Sequence, residues 1–331
     1  MESKIHVIAE AGNNHNGDVA TGKALIDVAR NAGADSVKFQ MIIPEGLYVP
    51  ELVTSAGREP NPIIATRRKS MLTAAQYTEL RDHCRAAGIQ FSASVFDREG
   101  LDLLAKLDAP YIKIASTDLN NVRLLRQAAA LGRRLVVSTG LSTLQDVERA
   151  VATIAAAGNP PLVLLHCVSV YPAATRLMNL AFIDTLRDAF GVEVGLSDHT
   201  ESDVVAAAAV AKGVTWIEKH FTLDRTQEGF DHGYAMEPDA FATYVRSIRD
   251  VEAALQPREH KLSEPEMNVQ ARARRGIYYA RDVKAGETLG PDDVTVVRPP
   301  SAFGAEAIDA VVGRTITRDR SRFEPVAPTD F

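Results

Sequence analysis

The sequence predicts a (β/α)8 TIM barrel followed by a small β-rich C-terminal unit. Eight strand-length apolar runs alternate with helical stretches up to about residue 255. Most of those helical stretches close on a Gly of the kind that caps helix C-termini. Beyond a polar segment the alternation gives way to short β-type runs between turn signals. Strand–helix alternation implies a parallel sheet covered by helices, and eight units in roughly 250 residues fit a closed barrel. The competing architecture is an open doubly wound sheet.

The eight runs are residues 5–12, 36–40, 89–95, 111–116, 135–140, 162–168, 192–199 and 216–222. Between them lie ATGKALIDVARNAG, TAAQYTELRDHCRAAG, NVRLLRQAAALG, TLQDVERAVATIAAAG and ESDVVAAAAVAKG, whose apolar residues recur at helical spacing. Residues 1–255 therefore form the expected barrel. The polar segment 256–270, with two prolines, reads as a linker. Residues 271–331 read as a separate unit, short of core on its own and expected to lean on another surface.

At 331 residues the chain exceeds the ~100–200 of one ordinary domain. Its 46% hydrophobic and 24% charged residues are those of a globular protein. With 37 Lys+Arg against 43 Asp+Glu, the net charge of -6 offers no global attraction to polyanions, so no nucleic-acid partner is expected. An anionic substrate would need a local basic pocket. No run approaches the ~18 apolar residues of a membrane span, and the opening MESKIHVIAEAG meets Glu10 too soon for a secretory signal. A cytoplasmic address with no membrane partner is the expectation. Cys84 and Cys167 alone make neither a disulfide framework nor a Cys-rich zinc site, and read as packed thiols.

In such a barrel the active site lies at the C-terminal strand ends, where residues two apart face the same way. There the sequence places Glu10 and the loop Asn13–Gly17, Lys38 with Gln40, Ser92 with Ser94, Lys113 with Ser116, and Ser138. His166, Ser169, Tyr171, Ser197 with His199, and Glu218 with His220 follow. Barrel interiors are otherwise filled by Val, Ile and Leu, and unpaired buried charge is costly, so these groups are expected to converge on one pocket. His199 and His220, on neighbouring strands, form half a coordination sphere for a divalent metal. Hydrogen-bonded core histidines are the plainer alternative. Lys38 and Lys113 with Ser94, Ser116 and Ser138 suit a phosphate or carboxylate.

Read in order, IAEAGNNHNGD, GADSVKFQ, YIKIASTDLNN, VVSTGLST, LLHCVSVYP, VGLSDHT, WIEKHFTLD and EGFDH resemble the sialic acid synthase family. The C-terminal unit, with KAGE and VVRPP, resembles that family's SAF (antifreeze-like) domain. The resemblance implies an enzyme that condenses phosphoenolpyruvate with an open-chain aldose of N-acylmannosamine type, giving a 2-keto-3-deoxy sugar acid and phosphate. It assigns His199 and His220 to Mn2+ or Mg2+, and Lys38, Lys113, Ser116 and Ser138 to phosphoenolpyruvate, with Ser94, Ser169 and Ser197 nearby. Glu10 stands close to the reacting carbons, Glu218 and Asp231 handle water or protons, and Tyr171 and Gln40 face the acceptor or the metal's water. It further implies a homodimer in which the SAF domain covers the neighbouring barrel and Arg298 contacts the sugar.

Departures from the family pattern gather on the acceptor side. Where the family often reads D-H-x-x-S-L-E-P, this chain runs from Asp231 to Pro238 with Ala235 in place of the Ser and a bulky Tyr234 added; S-G-E becomes Ser116-Thr117-Asp118. A non-standard sugar aldehyde from secondary metabolism is thus one alternative acceptor. A Schiff-base pyruvate aldolase is another reading, but such enzymes commonly carry their lysine on the sixth strand, where LVLLHCV has none. A non-catalytic carbohydrate-binding protein is the third. The run Arg58, Arg67, Arg68 and Lys69 in the long loop after the second strand reads as solvated charge.

Overall fold

The computed structural model describes residues 5–55, 57–259 and 261–331, which divide into two compact units, Met1–Gln256 and Pro257–Phe331.

The first unit is built on β1 (His6–Gly12), β2 (Ser36–Met41), a hairpin of β3 (Glu51–Thr54) and β4 (Gly57–Pro60), then β5 (Gln90–Val95), β6 (Tyr111–Ile114), β7 (Arg134–Ser138), β8 (Leu162–Cys167), β9 (Glu193–Asp198) and β10 (Trp216–His220). Leaving out the hairpin, eight strands close into a parallel barrel in the order β1-β10-β9-β8-β7-β6-β5-β2. The open-sheet alternative is thereby excluded. Each strand core lies within the run that predicts it or within two residues of it.

The helices between them start where local chemistry supplies the missing acceptors. Thr73 and Gln76 form a capping box on Ala74–Ala87, Thr143 and Asp146 form another on Leu144–Ala156, and Asp18 caps Val19–Asn31. Gly88, at φ 73°, ends the first of these in the left-handed conformation.

Packing sorts the strand residues by parity. Leu164, Val194, Ile217 and Val37 face the helices and belong to the large outer core. Ile8, Tyr111, Val136, Val163, Leu165 and Trp216 fill the barrel's inside and plug its floor. Below them His6 stacks on Trp216 at 3.9 Å, and the Ser36 hydroxyl bridges His6 and the Tyr111 hydroxyl at 3.0 and 2.9 Å. The next inward-facing layer, toward the C-terminal strand ends, is polar. Register slips between Glu10 and Gly12 where β1 meets β2, a bulge of the kind that re-aims side chains beside active sites.

The second unit pairs β11 (Gly276–Tyr279) antiparallel with β12 (Val294–Val297). Against the expectation of a unit short of core, Ile277, Tyr279, Val283, Leu289, Val311, Ile316 and Val326 are each no more than 1% exposed. Buried Asp330 ties them together, accepting from Tyr279 Oη at 3.0 Å and pairing with Arg320. The expected linker is also only partly one: Ser263 and Glu266 form a capping box and nucleate a helix over Glu264–Ala273. The structure places Arg298 immediately after β12, exposed. Among the described residues, no helix is long and apolar enough to cross a membrane.

Candidate active site

A cavity of about 190 Å3 opens at the C-terminal ends of the barrel strands. Glu10 of β1, Lys38 and Gln40 of β2, Ser94 of β5, Lys113 beside Ser116, and Ser138 of β7 line it. Ser169 and Tyr171 after β8, Ser197 and His199 at β9, and Glu218 and His220 of β10 complete the wall. Asp231 stands beside this set, its Oδ2 3.4 Å from Gln40 Nε2.

Four buried charged groups form its floor. Lys38 Nζ lies 2.5 Å from Glu10 Oε2 and 3.5 Å from Glu218 Oε2, and donates to Ser94 Oγ at 2.7 Å. Glu10 is thus held on both oxygens, Oε2 by the Lys38 ammonium and Oε1 by Gln40 Nε2 at 3.0 Å. Lys113 Nζ donates to Ser138 Oγ at 2.7 Å and to the Ile114 carbonyl at 2.9 Å, 3.9 Å from Glu218 Oε1. Glu218 also accepts from Ser197 Oγ at 2.8 Å. Two ammonium and two carboxylate groups thus share one buried floor, each needing the others.

Burial and neighbours push these groups apart. Burial raises the Glu10 carboxyl's pKa, and Lys38 offsets only part of that. Glu218 is buried as deeply, but Lys113 and Lys38 hold it down at about 2, so it is the carboxylate that stays ionised. Burial lowers the Lys113 ammonium; for Lys38 burial is outweighed by Glu10 and Glu218, and its pKa rises.

The two histidines stand 5.4 Å apart, centroid to centroid. His199 Nδ1 is 2.9 Å from the Val168 carbonyl and donates to it, so in the neutral ring Nε2 is the nitrogen with a free lone pair; burial lowers this ring's pKa, and Cys167 and Val168 outweigh that and raise it. Burial lowers His220 to about 3, which keeps the imidazole neutral, and its Nδ1 is buried with no hydrogen-bond partner. A neutral imidazole with an orphaned buried nitrogen beside a second imidazole fits a divalent metal. Among the described residues no group of three His, Cys, Asp or Glu side chains is placed to hold one. A metal on His199 and His220 would take its other donors from water and substrate.

Parity corrects one expectation. His166 shares its side of β8 with Leu164, faces outward, and bonds the Met178 carbonyl at 2.5 Å. Cys167, in line with Val163 and Leu165, lines the cavity instead, 3.7 Å from Ser169 Oγ and 3.9 Å from His199 Nδ1. The run Val163, Leu165, Cys167 carried that signal in the sequence. A Cys–His nucleophile pair does not follow, since the His199 Nδ1 proton is already given to Val168 at the shorter distance. Ser92 also turns out structural, donating to the Tyr111 carbonyl at 2.7 Å.

The loop after β1 braces the rim. Asn13 donates to Gln40 Oε1 at 3.0 Å, Asn14 to the Phe221 carbonyl at 2.9 Å, and Asn16 to the Glu228 carbonyl at 3.0 Å. In the loop after β2, Arg58 is exposed and pairs with Glu51, and Arg68 pairs with Glu45. Arg67 departs from the solvated reading: its guanidinium carbon lies 3.5 Å from the Phe230 ring centroid, with Nε and Nη1 buried.

Residues 25–260 match the NeuB family, and residues 274–331 match the SAF domain. The chain is 36% identical over 324 residues to N,N'-diacetyllegionaminic acid synthase of Legionella pneumophila, covering 95% of this chain and 91% of that protein. Among solved structures, a spore coat polysaccharide biosynthesis protein of Bacillus subtilis superposes with TM-score 0.69 at 33% identity, over 100% of this chain and 96% of that one. The N-acetylneuraminic acid synthetase of Leptospira borgpetersenii, in complex with citrate, superposes with TM-score 0.71 at 31% identity, over 81% and 89%.

Proposed function

The chain belongs to the NeuB family, and on that footing we propose that it condenses phosphoenolpyruvate with an open-chain amino-sugar aldose to a 2-keto-3-deoxy sugar acid and phosphate. The observation that carries the reading is the pairing of Lys38–Ser94 and Lys113–Ser138 at 2.7 Å each, opposite His199 and His220 in one cavity. Relatives named as legionaminic and neuraminic acid synthases support an amino-sugar acceptor.

Charge balance supports it. The two lysines and two glutamates cancel when all are charged, yet the donor brings a carboxylate and a phosphate. A donor of that charge needs a proton or a cation to accompany it, and Glu10, whose pKa is raised by burial, is the carboxylate of the floor that takes up a proton more readily than Glu218. A Mn2+ or Mg2+ ion on His199 and His220 would add positive charge and polarise the aldehyde as a Lewis acid.

In this reading Lys38 and Lys113 bind the donor's anionic groups, and Ser94 and Ser138 aim the two ammonium groups. Ser116, Ser169 and Ser197 add neutral donors, and Gln40 and Tyr171 bound the acceptor side. The enol carbon attacks the aldehyde carbon, its π pair forming the new bond as the C=O π pair moves to the aldehyde oxygen, which takes a proton from the Glu10 carboxyl, the group whose raised pKa lets it carry one. Water adds to the resulting cationic carbon and gives its proton to Glu218 or Asp231. The tetrahedral hemiketal phosphate then collapses to the ketone and releases phosphate. Holding both reactants in one small cavity supplies proximity. The reading extends to a homodimer in which Arg298 of the SAF domain meets the sugar in the neighbouring barrel. Mass spectrometry of the product tests the chemistry: the expected mass is that of acceptor plus pyruvic acid, and unchanged acceptor would overturn it.

A further inference from the structure

Asp231 and Tyr234 are brought together by one 3-10 turn, His232–Tyr234, whose three residues per turn eclipse positions i and i+3. Tyr234 Oη donates to Asp231 Oδ1 at 2.5 Å. The turn is pinned from below by His232, buried at 1% exposure, whose Nδ1 meets Thr222 Oγ1 at 2.7 Å. On its other side the Asp231 carboxylate reaches Gln40 Nε2, which itself donates to Glu10 Oε1 at 3.0 Å. The carboxylate fills space that Gly12 leaves open: a Cβ there, at φ +55°, would stand 2.5 Å from Asp231 Oδ2. A chain of polar contacts therefore runs from Tyr234 through Asp231 and Gln40 to Glu10 and Lys38.

The Tyr234 ring has a second set of neighbours. It lies 4.9 Å from the Tyr171 ring and 5.2 Å from His220, while Tyr171 lies 4.2 Å from His199. These are tilted and edge-on contacts, so the four rings form one continuous aromatic cluster rather than a stack, in which Tyr171, His199 and His220 line the cavity and Tyr234 packs against them. Tyr171 lines the cavity and is 47% exposed, which leaves a ring face open to an incoming molecule.

We infer that Tyr234 has two positioning roles in the proposed reaction: its hydroxyl positions Asp231, and its ring buttresses Tyr171, whose open face is the wall on which the apolar C–H face of an N-acylated aldose lies. This rests on the condensation reading above. Of the donor-binding groups, Lys113, Ser116 and Ser138 lie outside the contacts described for Tyr234, and Lys38 is reached only through Asp231, Gln40 and Glu10, so the aldose responds to the loss of Tyr234 more than phosphoenolpyruvate does.

The test is steady-state phosphate release by full-length protein with Mn2+, phosphoenolpyruvate and N-acetylmannosamine, varying each substrate in turn. Tyr234→Phe keeps the ring and frees Asp231; the expected result is a kcat about 10-fold lower with the aldose KM nearly unchanged. Tyr234→Leu removes the ring as well; the expected result is an aldose KM raised a further ~10-fold and a phosphoenolpyruvate KM within about 2-fold of wild type. Either variant matching wild type in all three parameters, or raising both KM values equally, would overturn the inference and leave the condensation reading standing. A wild-type protein that releases no phosphate with any aldose would overturn both.

Discussion

Lys38 and Glu10 face each other across the seam between β1 and β2, ammonium to carboxylate 2.5 Å apart, each side chain 2% exposed. Breaking such a pair from one side strands the other charge, at a cost of ~3–5 kcal/mol. Lys38→Met should therefore be destabilised by about that much in urea unfolding, because Glu10 loses its ammonium and Glu218 keeps only that of Lys113. Lys38→Met combined with Glu10→Gln should recover part of the loss. Equal stability of the single and double variants would show that the stranded Glu10 charge is not what destabilises the single one.

Gly140 is predicted to be intolerant of any side chain. A Cβ there would overlap Ser169 Oγ and stand 2.8 Å from Ser116 Oγ and 3.1 Å from Cys167 Sγ. Its absence leaves the space framed by those hydroxyls open to an anion. Gly140→Ala should lower kcat/KM for phosphoenolpyruvate at least ~100-fold while the folded state stays intact, as seen by circular dichroism and kinetics.

Acid sensitivity has a named source in His15, which is fully buried and whose pKa burial lowers to about 4. An unfolded chain takes up that proton near 6.5, so between pH 6.5 and 4 the unfolded state binds more protons and stability falls as pH falls. The loss from this residue is up to about 3 kcal/mol. His15→Gln should remove that slope, and the wild-type-minus-variant stability measured at pH 4.5 and 7.5 should differ accordingly. Parallel curves would assign the acid limb elsewhere.

Lys113 has the lowered pKa that an imine-forming lysine needs, yet its Nζ is held by Ser138 and the Ile114 carbonyl beside Glu218. Borohydride added with pyruvate should leave no adduct on Lys113 or Lys38 by peptide mass mapping. A stable adduct would revive the Schiff-base aldolase reading.

The barrel was legible because its signal is periodic: apolar runs fall at regular intervals, and same-parity polar pairs such as Lys38/Gln40 and Glu218/His220 interrupt them at one end. Cys167 was missed because thiols are common core residues, and only the parity set by Val163 and Leu165 turns it inward. Lys219 and Asp198 were invisible for a related reason. They alternate with cavity residues and meet at 3.1 Å on the outer face of the strands, under the Tyr244 hydroxyl. Contacts made by loops, Arg67 on Phe230 and Tyr234 on Asp231, depend on paths that no residue period encodes. The helix Glu264–Ala273 was hidden by prolines, although the Ser263–Glu266 capping box was present in the sequence.

The central claim is that one cavity joins an anionic enol donor to an aldose. Phosphate released from phosphoenolpyruvate by the purified, Mn2+-loaded protein measures it most directly, across N-acylated hexosamines, 6-deoxy-diamino sugars and neutral aldoses. Release should require an aldose, prefer an N-acylated one, and be lost in Lys38→Ala and His220→Ala. Release without any aldose, or none with every aldose offered, would contradict it.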